Sequence, residues 1–375
     1  MPGLEQALEM QRPPIVRFGV GQIATLAAWV ASVGVRRCFV VADRINAARL
    51  DVLGLANPGV FGDVKPEPDL PNLEAAVAAA KAMDADAIIG FGGGSAMDLA
   101  KLVAVLVSSD KGLRDVSGPN RAPKRSVKLI QIPTTAGTGS EVGTRALITD
   151  PETMNKIATE SVEMLADIAV IDPALTVSVP PMVTAATGVD AMAHCVEAFT
   201  SKRSHPIIDD YALRGIQLVG RFLKRAVEDG SDLEARAGLA VAAFYGGICL
   251  GPVNTAAGHA IAYPLGTRLN LPHGLANAIV FPHVLAFNQS VANAKTAEVA
   301  AALGLGDNLS SDELRSSACD FCAALGIQMS LAAHGARQDE LSLYASEAHA
   351  IRRLMDNNPA EMSIDDVLGI YEAAF

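Results

Sequence analysis

The segment from Asp86 to Lys101, DAIIGFGGGSAMDLAK, constrains the fold more than any other stretch of the chain. A short apolar run passes through glycines at 90, 92, 93 and 94 directly into helix-forming sequence. A strand that turns on glycine and feeds a helix is the building unit of α/β folds with parallel sheets. Glycines also let the backbone approach a pyrophosphate, and the free N–H groups and dipole of the following helix stabilise negative charge. Ser95 and Asp98 have the S-x-x-D spacing of a helix cap, which places the helix start here. The fingerprint G-x-G-x-x-G is not met, because Ser95 stands where the last glycine would be, and a plain strand-to-helix turn has the same composition.

Other parts of the first half extend the pattern. Strand-like runs at Cys38–Ala42, Ala87–Gly90, Leu129–Ile132 and Ile168–Ile171 alternate with alanine-rich helical sequence such as Leu73–Met83. Asp43 closes the first of these runs. An acid there accepts hydrogen bonds from a ribose and repels a 2′-phosphate, favouring NAD over NADP, although the same residue is also a good helix cap. After Ile132 comes a second polar loop, PTTAGTGSE at 133–141, whose hydroxyls and N–H groups suit phosphate or ribose oxygens as well as an ordinary turn. Pro180-Pro181 marks a change, after which strand signals are scarce and long apolar helical patterns dominate. The expected organisation is an α/β domain with a parallel sheet over residues 1–178, its glycine turn suited to a dinucleotide, then an all-α domain over 179–375.

That second half carries two pairs of candidate metal ligands. Asp190 and His194, in GVDAMAHCVEAF, are four positions apart, one turn along the same face of a helix. His259 and His273 are fourteen apart, which a straight helix would separate by about 21 Å, too far to share an ion. The chain must fold back between them, and Pro264, Pro272, Gly266 and Gly274 are suited to that reversal. Each pair alone is also what an ordinary helical core supplies; together they amount to three imidazoles and a carboxylate. His205, His334 and His349 have no evident partner, and His283 in FPHVLAFN reads as structural.

A net charge of −11 offers no general attraction to nucleic acid or anionic membrane. The opening MPGLEQALEMQRPP is acidic rather than basic, and no uninterrupted apolar run is long enough to span a bilayer, so a cytoplasmic location is expected. Cys38, Cys195, Cys249, Cys319 and Cys322 read as reduced thiols, and the lone C-x-x-C at 319–322 lacks the second pair a zinc site needs.

Taken in order, GGGSAMDLAK, PTTAGTGSE, DPALT at Asp172–Thr176, GVDAMAHCVEAF, HAIAYPLG, PHGLANA and the late NNP at Asn357–Pro359 resemble the iron-containing, or group III, alcohol dehydrogenases, which include lactaldehyde reductase and 1,3-propanediol dehydrogenase. The resemblance runs from about Phe18 to the C-terminus. It implies a cofactor domain, a helical metal domain and catalysis in the cleft between them, with at least a dimer as the assembly. It further implies Asp190, His194, His259 and His273 as metal ligands, and Asp43, Gly94, Ser95, Asp98, Thr134, Thr135, Thr138 and Lys156 at the cofactor. Two positions depart from the pattern. Tyr263 stands where many members have a histidine near the substrate, which leaves the proton relay unassigned, and Glu67-Pro68 replaces a frequent Asn-Pro.

The expected chemistry is reversible hydride transfer between an alcohol or hydroxy acid and NAD, with a divalent ion acting on the substrate oxygen. Four protein ligands leave room for substrate only if the ion expands its coordination. That favours Fe(II), although histidine-rich sites also bind Zn(II). Three other readings compete. They are a maleylacetate-reductase-like reduction of an unsaturated keto acid, a dehydroquinate-synthase-like elimination that uses NAD transiently, and a non-catalytic protein retaining the scaffold.

Overall fold

In a computed structural model of the chain, residues 3–152 and 156–375 are described. Two compact units divide them. One comprises Gln11–Thr135 and Gly139–Val177; the other comprises the residues up to Met10, Ala136–Thr138 and Ser178–Phe375.

The first unit is built on strands β1 (Ile15–Phe18), β2 (Cys38–Ala42), β3 (Gly59–Phe61), β4 (Ala87–Gly92), β5 (Gly118–Pro119), β6 (Lys128–Pro133), β7 (Arg145–Thr149), β8 (Lys156–Glu160) and β9 (Ile168–Ile171). Its helices are α1 (Leu26–Ser32), α2 (Arg44–Ala47), α3 (Leu70–Ala82), α4 (Gly94–Leu106) and α5 (Leu113–Val116). Six strands form a parallel sheet in the order β1-β9-β6-β4-β2-β3, as the strand–helix alternation predicts. The central strands are buried along their whole length, which is why their sequences are continuous apolar runs rather than alternating ones. Helix α4 is buried on every side over Leu99–Leu106, and each large apolar side chain so removed from water contributes about 1.5–3 kcal/mol before entropy is counted. A smaller sheet, β5-β8-β7, lies within the same unit.

The cap expected from Ser95 and Asp98 does not form. Helix α4 begins at Gly94 after Gly93, with no side-chain cap. Asp98 is drawn away by stronger partners, accepting from the Ser140 hydroxyl at 2.5 Å and the Leu147 N–H at 3.0 Å. Lys101, buried one turn on, donates to Ser140 Oγ at 2.7 Å and the Arg145 carbonyl at 2.8 Å. The result ties β7 and the loop before it to α4.

The second unit is helical: α6 (Pro181–Thr200), α7 (Pro206–Glu228), α8 (Leu233–Leu250), α9 (Ala257–Leu269), α10 (His273–Leu303), α11 (Ser311–Ala323), α12 (Leu341–His349), α13 (Arg352–Met355) and α14 (Ile364–Ala374). Helix α7 buries Ile208, Ala212, Ile216, Val219, Leu223 and Ala226, the three-and-four spacing of an amphipathic helix against a core. By length and composition α8 is apolar enough to cross a bilayer, yet 61% of it is buried inside the protein, where it packs with α6 and α7. Glycines permit the close approaches, since a Cβ on Gly215 would lie 2.5 Å from Cys195 Sγ and one on Gly220 2.5 Å from the Ala302 carbonyl.

The reversal between His259 and His273 uses one of the four residues suited to it, Pro272. Pro264 and Gly266 remain inside α9, and the turn is made by Asn270 at φ 54° followed by Leu271 and Pro272. Asparagine tolerates this left-handed conformation better than most residues. Pro272 then precedes α10, so His273 becomes its first residue.

Candidate metal centre and dinucleotide loops

Helix α6 supplies Asp190 and His194, α9 supplies His259, and the start of α10 supplies His273. Asp190 Oδ1 lies 3.5 Å from His273 Nε2, 3.6 Å from His259 Nε2 and 3.9 Å from His194 Nε2. Asp190, His259 and His273 each offer a ligand atom within 4.8 Å of the others. His194 stands at the edge of this group, its ring stacked on His259 at 4.7 Å between centroids. A tetrahedral centre with bonds of about 2.1 Å spaces its ligand atoms by about 3.4 Å, so the separations from Asp190 suit a first-row divalent ion with small side-chain adjustments. The donor set, three imidazoles and one carboxylate, is also chemically appropriate to iron or zinc.

The electrostatics agree. Burial acts to raise the Asp190 carboxyl, but His194, His273 and His259 together hold it well below the usual carboxylate range. Burial pushes His194 down to about 4, which favours a neutral ring with one nitrogen lone pair available. For His259 burial also acts downward, yet Glu197 and Asp190 outweigh it and raise the group to about 10. Two carboxylates therefore flank one imidazole, an arrangement that calls for positive charge at its centre.

Glu197 and Asn277 were not singled out by sequence reading, and both support the ligands. Glu197 Oε1 accepts from His259 Nδ1 at 3.1 Å and from the His259 N–H at 3.0 Å, while Oε2 accepts from the Ala256 N–H. This directs Nε2 of His259 toward Asp190. Asn277 Nδ2 donates to Asp190 Oδ1 at 2.9 Å and lies 3.3 Å from Nε2 of both His259 and His273. A signal existed for Glu197: it is the lone acid after His194 in the buried, otherwise uncharged turns that end α6. Glu197→Gln is expected to weaken metal binding about 10- to 100-fold, the usual effect of losing an outer carboxylate partner, as chelator competition would measure. An unchanged dissociation constant would refute this role.

In the first unit, the C-terminal ends of adjacent strands β2, β4 and β6 bring Asp43, Gly94 and Thr134 together, the position where open α/β sheets bind ligands. Asp43 does cap α2, accepting from the Ile45 and Asn46 N–H groups, and its second oxygen accepts from Asn46 Nδ2 at 2.6 Å. Asn46 Nδ2 also reaches Thr134 Oγ1 at 3.3 Å. Gly92 has φ 158°, and a Cβ there would sit 2.8 Å from Ala96 Cβ and 3.2 Å from Asp43 Oδ2. Thr135 is beside Gly93, with Oγ1 3.2 Å from where a Cβ would be. Ser95 occupies the first turn of α4, whereas Asp98 points to Ser140 and Leu147. Thr138 groups with the helical unit, where Gly137 packs directly on Thr187 of α6. Lys156 is not beside the glycine turn in sequence or sheet: it opens β8, donates to Thr149 Oγ1 at 2.8 Å and is ion-paired with Glu67.

His205, His334 and His349 have partners after all. His205 caps α7 through Nδ1 and contacts the Gln6 carbonyl through Nε2, His334 Nε2 meets the Gln328 carbonyl, and His349 meets Arg352. His283 is buried and pushed down to about 4 by burial.

Comparison with known proteins accords with this geometry. The profile described as "Iron-containing alcohol dehydrogenase" matches residues 13–173, and that for the "Fe-containing alcohol dehydrogenase family, C-terminal" matches 184–375. Long-chain-alcohol dehydrogenase 1 of Geobacillus thermodenitrificans is 37% identical, with 97% of this chain and 95% of the relative covered. Sulfoacetaldehyde reductase of Bilophila wadsworthia is 32% identical over 95% of this chain and 96% of its own. Among solved structures, a 1,3-propanediol oxidoreductase superposes with TM-score 0.93 at 28% identity, covering 99% of this chain and 100% of its own. A sulfoacetaldehyde reductase from Bifidobacterium kashiwanohense in complex with NAD+ gives TM-score 0.90 at 26% identity, covering 98% and 99%. The chain belongs to the iron-containing alcohol dehydrogenase family and is an NAD-dependent, metal-dependent oxidoreductase acting between alcohols and the corresponding carbonyl compounds.

Proposed function

We propose that Asp190, His194, His259 and His273 hold the divalent iron, and that Asp43, Gly94, Ser95, Thr134 and Thr135 line the dinucleotide site, with Asp98, Thr138 and Lys156 acting at its margins. The observation carrying this reading is the convergence on Asp190 Oδ1 of imidazole nitrogens from α10, α9 and its own helix α6, at 3.5, 3.6 and 3.9 Å. Residues 1–178 are assigned to cofactor binding and 179–375 to metal binding and catalysis.

When bound, Fe(II) supplies Lewis acidity toward the alcohol or carbonyl oxygen. The chain does the rest. Glu197 keeps the Nδ1 proton of His259 on the side away from Asp190, so that Nε2 presents its lone pair. Asn277 holds Asp190 in register with the two histidines. The buried α6 and α9 side chains exclude water behind the ligands, which strengthens charge interactions at the centre. On the dinucleotide side, the uncapped first turn of α4 and the bare Gly92–Gly93 backbone suit a pyrophosphate, and Asp43 suits a ribose hydroxyl.

The decisive test is metal depletion followed by anaerobic reconstitution with Fe(II) or Zn(II), with NADH formation followed on short alcohols, diols and hydroxy acids. Activity should depend on added metal, and turnover surviving complete chelation would defeat the ligand assignment. Asp43→Ala is expected to narrow the preference for NADH over NADPH by about tenfold, the scale of one charge-assisted contact, measured as the ratio of the two kcat/KM values. A ratio unchanged from the parent enzyme would remove Asp43 from the ribose site.

A cytoplasmic setting belongs to the same reading and is supported by five free cysteines. A homodimer does as well. Its support is the sheet-edge position of β1, where Ile15 and Phe18 are 37% and 42% exposed. Sedimentation of the purified protein tests it.

A further inference from the structure

The ligand cluster is open on one side. Side-chain exposure is 4% for Asp190, 6% for His194 and 2% for His259, but 32% for His273. Substrate therefore reaches the centre past His273. The Tyr263 ring packs against this partly exposed histidine, its centroid 5.7 Å from the imidazole. The guanidinium of Arg353 sits over the Tyr263 ring, 5.9 Å from the centroid. Arg353 comes from the short helix α13, which packs on α9 and so holds the group beside Tyr263.

Arg353 differs from its neighbour Arg352 in one respect that matters. Arg352 is engaged with Asp356 and with His349 Nε2. For Arg353, no carboxylate lies in ion-pair range among the described residues, and its contact is with the aromatic ring. A guanidinium resting on an aromatic face is held in a narrow range of orientations while its N–H donors remain free at the edge, so little further entropy is lost on pairing with an oxyanion. The chain as a whole carries −11, so no general field draws anions to it, and an anionic substrate needs a local cation.

We propose that Arg353 receives a terminal oxyanion of the substrate, with Tyr263 as its platform. The enzyme's substrates are then short aldehydes or ketones bearing a carboxylate-type group at the far end, and the matching hydroxy acids. The proposal rests on the ligand assignment made above, because His273 defines the direction of approach. In the reaction itself a hydride passes from NADH to the carbonyl carbon and a proton to its oxygen; Arg353 takes no part in that step and acts on binding.

The test compares 4-oxobutanoate with butanal, each reduced by the Fe(II)-reconstituted enzyme and NADH at low ionic strength. The expected kcat/KM ratio favours 4-oxobutanoate by about tenfold or more, the scale of a charge-assisted contact. Arg353→Gln should bring the ratio close to one through a raised KM for the charged aldehyde, and Arg353→Lys should restore part of it. Added salt should compress the wild-type ratio. A second readout needs no turnover: saturation-transfer NMR with 4-hydroxybutanoate and metal-free protein should show contact in the wild type and its loss in Arg353→Gln. Equal kcat/KM for the two aldehydes, or a ratio that survives Arg353→Gln, overturns the proposal. Failure of both aldehydes to react would count against the metal ligands, and the NMR comparison then decides Arg353 by itself.

Discussion

His259→Ala is expected to strip the protein of metal and reduce turnover by more than the 10- to 100-fold that loss of an outer partner costs, while NADH binding stays near the parent value. His259 lies at the centre of the cluster: its Nε2 is 3.6 Å from Asp190 Oδ1, its ring is stacked on His194 and it lies 5.2 Å from the ring of His273. The substitution also removes the side-chain partner of Glu197 in a fully buried setting. Breaking a buried charged pair from one side costs about 3–5 kcal/mol when nothing replaces the lost partner. Here the loss should be smaller, because the Ala256 N–H and the N–H of residue 259 continue to serve Glu197. Metal content by elemental analysis, NADH affinity by fluorescence and thermal unfolding separate these effects. Full metal occupancy in the variant would contradict the site, and a parallel loss of NADH affinity would point instead to general collapse.

Gly274→Ala is expected to damage the same centre without altering a ligand. A Cβ at position 274 would lie 2.2 Å from the Ala186 carbonyl oxygen and 2.7 Å from its carbon. Both are backbone atoms of α6, so no rotamer change relieves the overlap. The first turn of α10 must retreat from α6, taking His273 away from Asp190, now 3.5 Å distant. Overpacking of this kind costs about 1–3 kcal/mol, and the metal site should lose affinity in addition. Gly266→Ala is the control. A Cβ there meets the Leu271 carbonyl at 3.6 Å, an ordinary contact, and removing a glycine from helix α9 should be neutral or stabilise by about 0.5–1 kcal/mol. Chelator competition and thermal unfolding on the two variants give the comparison; equal behaviour would show that the contact with Ala186 does not position His273.

Much of the architecture was legible because burial on a parallel sheet writes itself into short apolar runs. Cys38–Ala42, Leu129–Ile132 and Ile168–Ile171 all lie within strands, and the glycine turn after Ala87–Gly92 leads straight into α4. The helix cap failed for a nonlocal reason: Asp98 had better partners in Ser140 and the Leu147 N–H than in the backbone of its own first turn. Pro264 was misplaced as a helix breaker for a similar reason. Tertiary packing of α9, where Ala260, Ile261, Ala262 and Leu265 are all buried, outweighs one missing hydrogen bond.

From the linear chain alone came the residue types and spacings that make a dinucleotide turn and four metal-ligand candidates, because helix and strand periodicity are local properties. The folded molecule decided which side chains meet. Glu197 reaches His259 across 62 positions, and Asn277 reaches Asp190 across 87. Arg353 comes to lie on Tyr263 only because α13 packs against α9. Such meetings depend on how helices pack and turn, and nearest-neighbour sequence carries no record of that.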